Sequence, residues 1–236
     1  MQPLIYSTYL CLYNSRMLIT TLFFDVDDTL YSSENGLWGA IRERMNEFMY
    51  ERLHLSPQEI PVLRHKYYET YGTTLRGLQL HHNVDPDEFL AYVHDLPLHA
   101  FLQPAPELRT LLLSLPQRKW IFTNADSQHA ARVLTLLGIS DCFNGFVDVR
   151  AMDFHCKPER EAYKRALTIS GEEDPRNCAL LDDSPRNLAP AHLLGFFTIL
   201  VGTDKPHPAA YKSIPRLLDL PQRVVELWNS NETLAS

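Results

Sequence analysis

Leu22, Phe23 and Phe24 form a short apolar run that stops at Asp25, and the next positions bring Asp27, Asp28 and Thr29. An unbroken apolar run of this length fits a strand buried on both faces, as in a parallel sheet. A buried strand that delivers carboxylates at its carboxyl end puts them where open α/β sheets keep their sites. Asp25 and Asp27 are two positions apart. On a continued strand both leave one face. On a strand that breaks at Asp27, the second carboxylate swings over the first. Either way two acids share a small volume, and their repulsion requires a cation or a retained proton. The competing reading of the same stretch is a strand followed by a solvated acidic turn.

The 236-residue chain is 45% hydrophobic, enough for one large domain or for a core with a smaller companion. A net charge of −7 and the lack of any basic run argue against nucleic acid as a partner of the surface. Cys11, Cys142, Cys156 and Cys178 are scattered without a C-x-x-C pair, which suits a reduced cytoplasmic or nuclear protein. Residues 1–16 have no basic start and no long apolar core. They make neither a signal peptide nor a membrane span and are expected to be a disordered leader, with Met17 an alternative start.

After Tyr31 the periodicity changes. Leu37, Ile41, Met45, Phe48, Met49 and Leu53 recur at helical spacing and predict a helix over 35–53. Ser56-Pro57-Gln58-Glu59 is a capping-box signature for a helix carrying Ile60, Leu63, Tyr67 and Tyr71 and stopping at Gly72. Asp85-Pro86-Asp87-Glu88 repeats the start signal before Phe89, Leu90, Tyr92 and Val93. Residues 32–101 thus read as an all-helical insert. From Pro104 helices and strands alternate: helix 105–115, strand 118–123, helix 127–138, strand 146–149, helix 158–170, strand 178–182, helix 185–194, strand 196–201 and helix 221–229. Alternation of this kind predicts an α/β, Rossmann-like parallel sheet with helices on both faces, built from 17–31 and 102–230.

Three more signals fall at the same edge of that sheet. Strand 118–123 ends in Thr123-Asn124, Lys157 precedes Pro158 at a helix start, and strand 178–182 runs into Asp182-Asp183-Ser184. Singly these read as a helix cap, a surface charge and an acidic turn. Together with Asp25 and Asp27 they make a hard-cation site with oxygen ligands beside groups that bind an anion, for which Mg²⁺ and phosphate are the natural occupants.

Asp25-Val26-Asp27-Asp28-Thr29, Thr123, Lys157 and Asp182-Asp183 resemble, in order and spacing, the four motifs of the haloacid dehalogenase superfamily. The insert resembles that superfamily's helical cap. Longer phrases, among them Tyr71-Gly72-Thr73-Thr74-Leu75-Arg76-Gly77-Leu78 and His94-Asp95-Leu96-Pro97-Leu98, resemble its fungal and plant pyrimidine 5′-nucleotidase branch. The resemblance implies a Mg²⁺-dependent phosphomonoester hydrolase, with a nucleoside 5′-monophosphate as substrate. Other small esters are the alternatives: lysophosphatidate, sugar phosphates and pyridoxal phosphate. It further implies Asp25 as nucleophile and Asp27 as acid and base. The metal falls to Asp25, Asp27, Asp183 and Asp182, and the phosphoryl oxygens to Thr123, Asn124 and Lys157. Arg76 is the insert's candidate for reading the leaving group. Asn187 departs from the acid that many members carry there, which shifts the expected metal shell toward Asp182. A dehalogenase needs no acid at Asp27. A phospho-acceptor receiver domain, the non-enzymatic rival, lacks both that acid and a helical insert.

Overall fold

The computed structural model describes residues 18–228, so the expected leader and the alternative start at Met17 lie outside the described residues. Six strands form the sheet: β1 (Thr21–Phe24), β2 (Arg118–Phe122), β3 (Gly145–Val147), β4 (Cys178–Asp182), β5 (Phe197–Val201) and β6 (Lys212–Ile214). Their spatial order is β3-β2-β1-β4-β5-β6, and every pairing is parallel. The chain builds outward from β1 on one side, then crosses to β4 on the other. The crevice this leaves at the carboxyl ends of β1, β2 and β4 is the topological switch point of a doubly wound sheet.

Alternation along β1 divides the core. Leu22 and Phe24 join Ile121, Ala179 and Leu181 on one face, while Phe23 joins Phe122 and Leu180 on the other. Phe23 and Phe24 are fully buried, each contributing about 1.5–3 kcal/mol of transfer free energy. The helices α5 (Pro106–Ser114), α6 (Ser127–Leu137), α7 (Arg160–Ser170), α8 (Pro185–Leu194) and α9 (Leu220–Arg223) belong to this half of the chain, numbered after the four of the insert.

Those four, α1 (Leu37–Glu51), α2 (Glu59–Tyr71), α3 (Thr74–His82) and α4 (Pro86–His94), lie between β1 and β2. They enclose an apolar cluster that includes Phe48, Met49, Ile60, Tyr67, Leu78 and Phe89. The capping box forms as expected: the Ser56 and Glu59 side chains each accept from the other's backbone N–H. Asp85 accepts from the backbone N–H groups of Asp87 and Glu88 to start α4. Gly72 ends α2 in the left-handed region at φ 87°, which glycine adopts without steric cost.

Three elements differ from the sequence reading. Helix α3 was not foreseen, nor was β6, a three-residue edge strand. The expected terminal helix 221–229 is instead the short α9 followed by a 3₁₀ turn at Val225–Leu227; Val224 leaves helical backbone at φ −134° and ψ 57°, and both it and Leu227 are buried in the core.

Two close contacts join insert and core at the sheet edge. The Arg186 guanidinium, on α8, donates to the backbone carbonyls of Tyr68 and Glu69 at 2.6 Å each and lies 4.6 Å from the Tyr68 ring centroid. These carbonyls are in the last turn of α2, where Tyr68 O accepts only the capping Gly72 N–H and helical donors are running out. Nearby, Gly72 packs so closely on Lys157 that a Cβ there would sit 2.6 Å from the Lys157 carbonyl oxygen.

Candidate active site

The strand ends bring their polar residues to one edge. Asp25 follows β1, and its backbone N–H donates to Leu181 O of β4 at 2.9 Å. Asp182 closes β4 and is fully buried. Lys157 reaches between them: its Nζ lies 2.9 Å from Asp25 Oδ1 and 2.7 Å from Asp182 Oδ2, and donates to Phe122 O at 2.7 Å. All three ammonium hydrogens have acceptors, and the side chain is 1% exposed. Burial alone would lower the Lys157 pKa, but Asp182 and Asp25 outweigh it and hold the ammonium charged.

Asp182 has little capacity left for a further ligand. Its Oδ1 accepts from the Ser184 backbone N–H and from Asn187 Nδ2, and its Oδ2 from Lys157. Asn187, which also lines the cavity, thus has its amide N–H engaged by Asp182. Asp183 is the freer acid. The Thr29 hydroxyl accepts from the Asp183 backbone N–H at 3.1 Å and lies 3.5 Å from Asp183 Oδ1. This ties the first motif to the fourth.

Asp25, Asp182 and Asp183 each offer an oxygen, and these oxygens lie within 4.8 Å of one another. One ammonium does not balance them. Burial, followed by Asp182 and Asp28, pushes the Asp183 carboxyl up to about 7. Burial also raises Asp25 well above the ordinary range against the relief from Lys157, and Asp182, Asp183 and Asp27 add to the rise. Burial and Asp27 raise Asp28 to about 6, and its buried Oδ1 has no hydrogen-bond partner. An all-oxygen donor set with unrelieved negative charge fits a hard divalent cation.

Asp27 has different surroundings. The Tyr31 hydroxyl donates to its Oδ1 at 2.5 Å, and His129 Nε2 lies 3.2 Å from the same oxygen. Burial acts to raise the Asp27 carboxyl, but His129, Tyr31 and His94 together bring it below its ordinary value. His129 sits in the first turn of α6, which Asp126 caps by accepting the His129 backbone N–H. The sequence reading missed His129, although a histidine three residues beyond a helix cap at this sheet edge was a usable signal.

Thr123 is buried and its hydroxyl accepts from the Ala125 N–H at 3.0 Å. The Asn124 amide bonds both backbone polar groups of Lys157, its Nδ2 donating to the carbonyl at 2.9 Å and its Oδ1 accepting the N–H at 2.8 Å. Its side chain therefore anchors the lysine loop.

A cavity of about 390 Å³ opens over this edge, lined by Asp25, Asp27, Thr123, Lys157 and Asp183 below and by the insert above. The insert's wall includes Trp38, Arg42, Met45, Arg64 and Tyr68. Arg76 is not among the lining residues. The lining of α3 comes from its cap and first turn, Thr73 to Leu75. Arg64, which the sequence reading passed over, has a buried Nε without a partner. Burial, with Arg42 close by, lowers its pKa.

Comparison with known proteins agrees with the geometry. The model of a family described as haloacid dehalogenase-like hydrolase matches residues 19–195. Phosphate metabolism protein 8 of Saccharomyces cerevisiae is 30% identical over 187 residues, 73% of this chain and 58% of the yeast protein. The chain therefore spans a little under three fifths of that relative. Among solved structures, CbbY from Rhodobacter sphaeroides in complex with phosphate superposes with a TM-score of 0.62 at 18% identity, over 86% of this chain and 96% of that one. A HAD phosphatase from Thermococcus onnurineus gives 0.59 at 17% identity, over 86% and 97%. At such identities the two structures speak for the fold alone.

Proposed function

This chain belongs to the haloacid dehalogenase-like hydrolases, and from that membership we propose that it hydrolyses a small phosphomonoester, with Asp25 as nucleophile and Mg²⁺ as its metal. The observation that carries the reading is the pair Asp25 and Asp27. Both line one cavity, one backed by Lys157 and the other gripped through a single carboxylate oxygen. A departing halide needs no proton, whereas a departing alkoxide does, so an acid at Asp27 favours phosphoryl transfer over dehalogenation.

In this mechanism an Asp25 oxygen attacks phosphorus as the bond to the ester oxygen breaks, and an aspartyl-phosphate forms. Asp27 gives its proton to the leaving oxygen. As a carboxylate it then takes a proton from the water that attacks the phosphorus, which frees phosphate and restores Asp25. Thr123 has its hydroxyl hydrogen available for a phosphoryl oxygen, and Lys157 sets positive charge behind the nucleophile. Asn124 fixes the lysine loop. Asp25, Asp183 and the Asp27 carbonyl would hold Mg²⁺, with Asp182 supporting them through Lys157. Bound there, the cation offsets the charge of two anions that must meet. Residues 32–101 serve as a cap that shields this edge from water.

For the substrate we favour a pyrimidine nucleoside 5′-monophosphate. The nucleotidase-like phrases support it, as does the insert's wall, where Trp38 and Tyr68 offer aromatic faces and Arg42 and Arg64 offer donors for base or sugar oxygens. The yeast relative's name, phosphate metabolism protein 8, fits phosphate chemistry more broadly. Phosphate release should be assayed with Mg²⁺ across mononucleotides, sugar phosphates, lysophosphatidate and pyridoxal phosphate. Fastest turnover of UMP and CMP is expected; preference for a non-nucleotide ester would overturn the substrate, and release from none would overturn the activity.

A further inference from the structure

Asp27 has two carboxylate oxygens, and the protein treats them differently. Both described hydrogen bonds converge on Oδ1, from the Tyr31 hydroxyl at 2.5 Å and from His129 Nε2 at 3.2 Å. Among the described residues no group bonds Oδ2, while Asp27 itself lines the cavity. His129 does not line it: its side chain is 0% exposed. Its other ring nitrogen, Nδ1, is buried without a partner. A hydrogen on Nε2 suits this arrangement, because it gives Asp27 Oδ1 a donor.

The ring is also clamped from the insert. His94, the last residue of α4, stacks on His129 with centroids 4.1 Å apart and planes 17° apart. Its Nδ1 lies 3.1 Å from Asp126 Oδ2, and Asp126 Oδ1 accepts the His129 backbone N–H. Arg132 of α6 holds the same corner by donating to the His94 and Leu96 carbonyls at 2.9 and 2.8 Å.

We propose that His129 is a positioning residue for proton transfer: together with Tyr31 it fixes Asp27 Oδ1, so that Oδ2 carries the proton to the leaving oxygen, and His94 locks it there when the insert is seated on the core. The inference rests on the phosphatase reading and adds to it. As the ester P–O bond breaks and the Asp25–P bond forms, the leaving oxygen takes the Oδ2 proton. The carboxylate left behind keeps two donors on Oδ1. Seating the insert and aiming the acid are then one event.

The test separates orientation of the acid from general support of the fold. Wild type, His129→Leu, His129→Gln and Tyr31→Phe are compared with Mg²⁺ on two esters. One is an alkyl phosphate such as UMP or glycerol phosphate, whose leaving oxygen needs a proton. The other is p-nitrophenyl phosphate, whose leaving group departs without one. The readout is kcat/KM, which reports the step in which the leaving group departs. His129→Leu should lower the alkyl value by about 10²-fold or more and the p-nitrophenyl value by only a few fold. His129→Gln, which keeps an N–H near the Nε2 position, should recover much of the loss. Tyr31→Phe should give the same split at about tenfold, and it provides an independent reading where His129→Leu does not fold. Equal losses on both esters, or no loss on either, would overturn the inference while leaving the phosphatase reading intact. A wild type inactive on both esters would overturn that reading and the inference with it.

Discussion

Lys157 Nζ stands 2.9 Å from Asp25 Oδ1, and with side chains 1% and 12% exposed the proposed nucleophile and its counter-charge are held together at the floor of the cavity. Removing either partner has a different result. Asp25→Asn keeps the shape and relieves a crowded acid whose pKa burial already raises. It should abolish turnover while the melting temperature at pH 8 holds or rises. Lys157→Met leaves Asp25 and Asp182 buried without a cation and should cost about 3–5 kcal/mol in chemical denaturation. Parallel melts and phosphate-release assays check both.

Metal affinity should follow the proton on Asp183. Its carboxyl, pushed up to about 7 in the folded protein, is raised above the ordinary value of 3.8. Stability from this group is therefore fully present below about pH 4 and is lost as pH rises toward 7. The cation competes for the same charge. With a pKa of about 7 the ionised fraction is roughly one tenth at pH 6 and nine tenths at pH 8, so Mg²⁺ should bind about tenfold more weakly at pH 6. Calorimetric titration at the two pH values measures this. Asp183→Asn should bind weakly at both and lose the difference.

The guanidiniums of the insert can be sorted by kinetics. Arg64 lines the cavity and Arg76 does not. Arg64→Ala should lower kcat/KM for UMP and CMP by about tenfold to a hundredfold, the scale of one charge-assisted hydrogen bond. It should alter p-nitrophenyl phosphate much less. Arg76→Ala should leave both near wild type. Steady-state assays in which Arg76→Ala shows the selective loss would return the substrate-reading role to that residue.

Gly72 has no room for a side chain. A Cβ would meet the Lys157 carbonyl oxygen at 2.6 Å, and the φ of 87° is strained for any L residue. Gly72→Ala should destabilise by about 1–3 kcal/mol and lower kcat by displacing the lysine loop. Gly171, which ends α7 at φ 69° with open space around it, provides the control. Gly171→Ala should show the backbone cost without the loss of kcat.

The core strands and most helix starts were legible because local chemistry writes them: an apolar run ending in acid, Asp85 before a proline, Ser56 before Glu59. Helix α3 was not, because Gly77 sits in its middle. The packing explains that glycine, since a Cβ there would lie 2.1 Å from the Tyr67 ring. Tertiary contact, invisible along the chain, overrode local propensity. The same holds at the site. The motif acids could be read from their spacing. What grips each one, such as His129 on Asp27 or Asn187 on Asp182, depends on which helices pack together, and spacing does not carry that.

Arg186 lies three residues after Asp183, and its guanidinium closes the carbonyl end of α2 in the insert. The four residues from Asp183 to the start of α8 therefore carry both a candidate metal ligand and a fastening of the neighbouring module. The consequence is limited portability. A foreign helical module grafted between β1 and β2 would meet an arginine aimed at carbonyls it does not present, and a core with another residue at this position would receive this insert without its fastening at α2, leaving those at His94 and Leu96. In a chimera, the donor of the module must also supply the turn after β4.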